Sequence, residues 1–255
     1  MFSGKQICLA LVLVLVWGGS LMVEAAAVPG ADAQSYVSNS QTTSKFVTQD
    51  FVPDGNLQKP AWRHAPWMKV DRDAYSSATY PQSVTEIASL WTANYAYFAF
   101  KCKYTTLNVY EGGDPSKDFW KLWERDVVEI FLNPHPEHMN HYYEFEVAPN
   151  NLWIDLEIDL DHRLPNGGAD WNSGFEHATH IDAKNHVWTC EVRIPVAAVN
   201  QGQPLEANAE WRINFYRDDG PGGDAERRAL SWSLIQGGTR SFHTPASFGQ
   251  IRFVK

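Results

Sequence analysis

Between Val84 and Val254 the chain is written in short runs where apolar and polar residues alternate, each run closed by Gly, Pro, Asn or Asp. Alternation with period two sends successive side chains to opposite faces of an extended strand, and punctuation of this kind belongs to sheets. The runs predict strands over 84–92, 95–104, 127–132, 142–148, 152–160, 186–194, 211–217, 230–233 and 249–254. No stretch sustains the 3.6-residue period of the crossover helices that parallel strands need. The expected fold is therefore all-β, an antiparallel two-sheet β-sandwich of jelly-roll-like form.

Composition sets the outer limits. With 255 residues, 44% of them hydrophobic and 13% aromatic, including 11 Trp, the chain has material for one large core, and global disorder is excluded. A net charge of -9 with no basic cluster excludes a phosphate-backbone partner, so no nucleic acid is expected. At the N-terminus Lys5 precedes the apolar run Ile7 to Trp17, and Ala25-Ala26-Ala27 supplies a small-residue cleavage site. That is the layout of a signal peptide over 1–27, with a secreted or periplasmic product. The alternative, an uncleaved anchor, suffers from a run shorter than the ~20 residues a span needs, so no stable membrane insertion is expected. Residues 28–44, rich in Ala, Ser, Gln and Thr, read as a flexible leader to a single domain over 45–255. Cys8 leaves with the signal; Cys102 and Cys190 each lie on the apolar face of an alternating run, as a disulfide or as two buried thiols.

The densest chemistry is Phe119-Trp120-Lys121-Leu122-Trp123-Glu124-Arg125-Asp126, which leads into the strand that carries Glu129. An indole at the mouth of a sheet offers a flat apolar face to a sugar ring while neighbouring charges bond its hydroxyls; alternatively both rings cover the end of the sandwich. Glu144 and Glu146 share one strand face, and Asp155, Glu157 and Asp159 another. They read first as a solvated face, next as oxygen ligands for calcium, and last as a catalytic carboxylate pair. His135, His138 and His141 fall among Pro134 and Pro136, where no helix aligns the rings, and read as an exposed loop rather than a zinc site. There is no G-x-S-x-G, H-E-x-x-H or phosphate-binding glycine loop.

Taken in order, Asp54-Gly55-Asn56-Leu57 with Trp62, Trp123-Glu124-Arg125-Asp126-Val127-Val128-Glu129, Trp188 to Pro195, Ile213-Asn214-Phe215-Tyr216-Arg217, Ser231-Trp232-Ser233 and Phe242-His243-Thr244-Pro245 with Phe248-Gly249 resemble a family 9 carbohydrate-binding module over about 54–253. The resemblance implies a β-sandwich of the wider DOMON-like kind, no catalysis, and a slot that clamps a glucan or xylan chain end between two tryptophans. It implies no required cofactor beyond structural calcium. On the family pattern the first clamp ring falls on Trp123 and the acidic partner on Glu129. The second ring falls on Phe242 rather than Trp, the strand arginine on Glu146, and a polar strand residue on Tyr216. The expected ligand is a polysaccharide or oligosaccharide stacked on Trp123 and Phe242, with Glu129, Glu146, Tyr216 and Arg217 as hydroxyl partners. The competing readings are a glycoside hydrolase or esterase that uses the acidic strands, and a DOMON-type haem or redox domain with His243 or Met139 as axial ligand.

Overall fold

The computed structural model describes residues 36–220 and 227–255; the segment read as a signal peptide, 1–27, and the expected leader up to residue 35 lie outside the described residues. The strands are β1 (Gln41–Phe46), β2 (Trp67–Val70), β3 (Thr85–Trp91), β4 (Tyr95–Lys103), β5 (Val127–Asn133), β6 (His141–Val147), β7 (Trp153–Asp159), β8 (Glu176–Asp182), β9 (Val187–Pro195), β10 (Glu210–Asp219), β11 (Arg228–Ser231) and β12 (Gly249–Val254). The one α-helical segment described is a single turn at Val196–Val199. All-β architecture is thus as the alternation predicts, and nine strands fall on the expected runs within a few residues.

The topology differs from an antiparallel two-sheet sandwich. Hydrogen bonding links the strands in one continuous order, β7-β6-β5-β10-β12-β1-β3-β4-β9-β8, with β11 on β10 and β2 on β3. The sheet is mixed, because β1 runs parallel to both β12 and β3. It starts at Gln41, inside the segment read as leader, and joins the two halves of the sheet through backbone pairing that needs no apolar pattern. The sheet curls until its halves share a core: Phe98 of β4 meets Phe215 of β10 edge-on at 5.6 Å. Cys102 and Cys190 project into this core as free, buried thiols, and burial pushes Cys102 up to about 12.

Each half of the sheet has a second face. Over β3 and β4 the segment from Val47 to Trp62 covers Leu90, Tyr97 and Ala99. Its anchor is Glu191, 1% exposed on β9. This carboxylate accepts hydrogen bonds from the backbone N–H of Asp54 and Gly55 at 2.8 Å, from Trp62 Nε1 at 2.7 Å and from Lys59 Nζ at 2.7 Å. The Asp54-Gly55 and Trp62 portion of the family pattern is therefore architectural: a buried carboxylate ties a loop onto the sheet. Glu191→Gln keeps the shape but loses the charge and leaves acceptors short. It should lower stability by about 1–3 kcal/mol in urea titration, without loss of secondary structure at 10 °C; an unchanged midpoint would contradict this role.

Over β5, β6, β7 and β10 the second face holds Leu122, Val127, Phe131, Tyr142, Ile154, Leu156 and Tyr216, with Tyr75, Phe119, Trp123 and Phe242 packed against them. The segments that wall this face come from far apart in sequence, and between them they leave an opening.

Candidate functional site

The opening is a cavity of about 520 Å³, within the size range of small-ligand sites. Its floor is set by strand register. Glu129 on β5 lies opposite Glu146 on β6 and opposite Tyr216 on β10, and Phe131 lies opposite Glu144. With period two, Glu129, Phe131, Glu144 and Glu146 all point to the face away from the main core. Trp120 and Trp123 form one wall, packed edge to face at 5.0 Å, and Trp120 is half exposed. The short turn Leu122–Glu124 carries Trp123, and Lys121 before it takes φ 69°, a left-handed kink that presents the two indoles together. Gly167 sits beneath Trp120: a Cβ there would come within 3.0 Å of the indole edge.

Phe242, which also lines the cavity, lies flat on Tyr216 with centroids 4.1 Å apart and planes 5° apart. Tyr75 stands beside it at 6.1 Å, with the Arg240 guanidinium 4.8 Å from the Tyr75 ring centre. His243 accepts or donates a 2.8 Å hydrogen bond with the Tyr142 hydroxyl and approaches Glu144 at 4.0 Å. Arg227 lines the same cavity, 3.5 Å from Asp218. The cavity therefore combines flat apolar rings with carboxylates and two guanidinium groups at its rim.

Of the residues singled out from sequence, the structure brings Trp123, Glu129 and Phe242 to the cavity wall, with Glu146 behind Glu129 and Glu144. Three do not line it: Glu146 is fully buried beside Glu129 and Glu144, and the other two are spent elsewhere. Tyr216 is 1% exposed and spends its hydroxyl on the Phe242 carbonyl oxygen at 3.0 Å, so it supports the ring instead of facing a ligand. Arg217, one residue along β10, points by alternation to the other face, where it bonds Ser83 O, Thr85 Oγ1 and Asp219. The reading of Glu144 and Glu146 as a solvated face is corrected: they are 3% and 0% exposed, because the walls close over their strand. Trp120, Tyr75, Arg227, Arg240 and His243 were not placed in the site from sequence. Trp120 had a signal in its position three residues before Trp123, and His243 in its place beside Phe242. His141 pairs with Glu157 at 2.8 Å, and the single acidic cluster with metal-ligand spacing among the described residues contains no histidine.

Electrostatics set this floor apart. Burial, with help from Asp218 and Glu144, holds the Glu129 carboxyl well above the usual carboxylate range; burial, then Glu129 and Glu144, does the same to Glu146. A larger depression, about 640 Å³, runs beside the partly exposed Trp67. Its acids are solvated and paired, Glu86 with Lys101 at 3.1 Å and Asp54 with Lys59 at 2.8 Å, so it lacks the strained charge of the glutamate-floored cavity.

Two further buried acids make stability depend on pH. Burial raises Asp126 to about 7 and Asp155 to about 6. Both hold a proton more tightly folded than unfolded, so stability is full below the ordinary aspartate value. It is lost as pH rises through 6 and 7, by up to roughly 1.4 kcal/mol per pH unit for each group. Burial also pushes Asp50 and Asp73 up, but hydrogen bonds to Asn94 and Thr92, and to Tyr75 and Ser76, outweigh it and leave both lowered. Their contribution disappears only as pH falls below the usual carboxylate range. Chelator-treated protein should therefore melt several degrees higher near about pH 5 than near about pH 7.5; a Tm that rises across that interval would contradict the assignment.

The all-β fold thus carries an open cavity of rings and carboxylates on one sheet face. The chain belongs to the carbohydrate family 9 binding domain-like family, whose sequence profile matches residues 53–255. It is similar in structure to a Bacteroides uniformis protein provisionally described as carbohydrate-binding, with TM-score 0.67 and 21% identity over 85% of this chain and all of that one. It is also similar to a family 9 carbohydrate-binding module from Caldicellulosiruptor kristjanssonii in complex with cellotriose. There the TM-score is 0.60 and the identity 18%, over 84% of this chain and 94% of that one. An extracellular protein of Arthroderma benhamiae is 28% identical over 105 residues, 38% of this chain and 46% of that protein, so the chain matches less than half the length of that relative. Among the described residues, no helix is long and apolar enough to cross a membrane.

Proposed function

We propose that the chain is a secreted, non-catalytic domain that binds a polysaccharide or oligosaccharide in the cavity between Trp123 and Phe242. The observation that carries this reading is the meeting of both rings with buried carboxylates in one cavity of about 520 Å³, in a chain of a carbohydrate-binding family. A pyranose presents C–H faces and a belt of hydroxyls. Trp123 supplies the larger stacking ring, Phe242 a smaller one, and Glu129 and Glu144 accept hydroxyl hydrogens at the floor. Arg227 and Arg240 donate at the rim. The Caldicellulosiruptor module's cellotriose makes β-linked glucans the first ligands to try.

Such a site has a few stacked contacts and hydrogen bonds of about 1 kcal/mol net each, which corresponds to affinity near micromolar or weaker. The test is a glycan array followed by calorimetry with cello- and xylo-oligosaccharides on the secreted product. Saturable binding with no reducing sugar released is expected. A folded protein that retains no glycan would overturn the binding assignment, and steady release of reducing ends from the same panel would overturn the non-catalytic one.

A further inference from the structure

The cavity floor gathers three buried carboxyl groups for which the fold supplies little charge compensation. Glu129, Glu144 and Glu146 are 1%, 3% and 0% exposed, and one carboxylate oxygen from each lies within 4.8 Å of the others. Both oxygens of Glu146, Oε1 of Glu129 and Oε2 of Glu144 are buried with no hydrogen-bond partner outside the cluster. Glu129 and Glu146 are also direct cross-strand partners, an arrangement of like charges that destabilises a sheet. Neither nearby guanidinium forms an ion pair with them: Arg227 lies 3.5 Å from Asp218, and Arg240 stacks on Tyr75. Among the described residues the three glutamates form one ion pair, Glu144 to His243 at 4.0 Å.

Oxygens that share one calcium ion at ~2.4 Å lie at most ~4.8 Å apart, and three carboxylates make a hard, oxygen-only, highly charged donor set. We propose that Glu129, Glu144 and Glu146 bind a divalent cation of the calcium class at the floor of the cavity, and that this ion takes vicinal hydroxyls of the sugar into its coordination shell. The set suits calcium better than zinc or copper, since it offers neither imidazole nor thiolate. Three protein ligands leave a six- to eight-coordinate ion with open positions, and Glu129 and Glu144 line the cavity, so those positions open toward the bound ring. This step rests on the sugar reading for its second half only; the ion site stands on the glutamates alone.

The test is equilibrium dialysis of the chelator-stripped full chain against CaCl2 alone, without sugar, for wild type and the E129Q/E146Q variant. Wild type should bind one more calcium per chain than the variant. E144Q and E146Q singly should weaken that extra site at least tenfold and carry the comparison if the double variant does not fold by circular dichroism. Equal ion counts, or no calcium bound by wild type at millimolar concentration, would overturn the proposal. Glycan retention separates the two readings. Loss on chelation with recovery on calcium supports both. Retention that ignores the chelator, with equal ion counts, sinks the cation and leaves the sugar. An ion bound without any glycan retained sinks the sugar and leaves the cation site.

Discussion

Arg217→Ala should lower stability by about 3–5 kcal/mol, the usual cost of removing one partner from a buried ion pair, and lower the Tm by on the order of 10 °C. The guanidinium is 1% exposed and the Asp219 carboxylate 0%. Arg217 reaches Ser83 O at 2.9 Å and Thr85 Oγ1 at 3.0 Å, while Asp219 also accepts from Ser83 Oγ and from Arg228 at 2.7 Å. This network joins β10 to the turn before β3, across the two halves of the curled sheet. Its loss takes one of two guanidinium partners from a buried anion and leaves Ser83 O and Thr85 Oγ1 without this donor. Because Arg217 faces away from the cavity, Arg217→Ala that remains folded at 10 °C should bind glycans as wild type does. A protein that melts normally but has lost glycan binding would return Arg217 to the site, as the sequence reading had it.

That contrast shows what alternation could and could not reveal. Period two correctly separated the faces of β6, and the family pattern put Trp123, Glu129 and Phe242 together although 118 residues lie between the first and the last. It could not say which polar face meets water. Glu144 and Glu146 look like solvent-facing residues of an exposed strand, and they are buried only because the segments bearing Trp120 and Phe242 fold over them. Arg217 and Tyr216 are adjacent and equally polar in sequence, yet one β-strand step sends them to opposite faces. The unexpected strands share a cause. β8 is an edge strand bonded only to β9, with mostly part-exposed residues, and β2 is a four-residue strand at the side of β3. β1 is largely polar and is held by backbone pairing to β12, some two hundred residues away. Strands of this kind are specified by their neighbours' open hydrogen bonds, a long-range property that no local pattern carries.

The largest effect on binding is expected from Trp123→Ala, which should weaken glycan affinity by about 2 kcal/mol or more, roughly thirtyfold, in calorimetry with the best ligand from the array. The indole is only part buried, and its packing partner Trp120 is itself half exposed, so the Tm should change little. Phe242→Ala should cost less affinity, because one face of that ring is already covered by Tyr216 at 4.1 Å and only the remainder can meet a sugar. Tyr216→Phe keeps the stack but removes the hydroxyl that accepts no ligand and holds the Phe242 carbonyl, so its effect should be smaller still. The order of loss, Trp123 above Phe242 above Tyr216, follows from how much of each ring is free. Equal losses would mean that the variants act through the fold of the wall, and no loss at Trp123 with a normal melt would put the sugar somewhere other than this cavity.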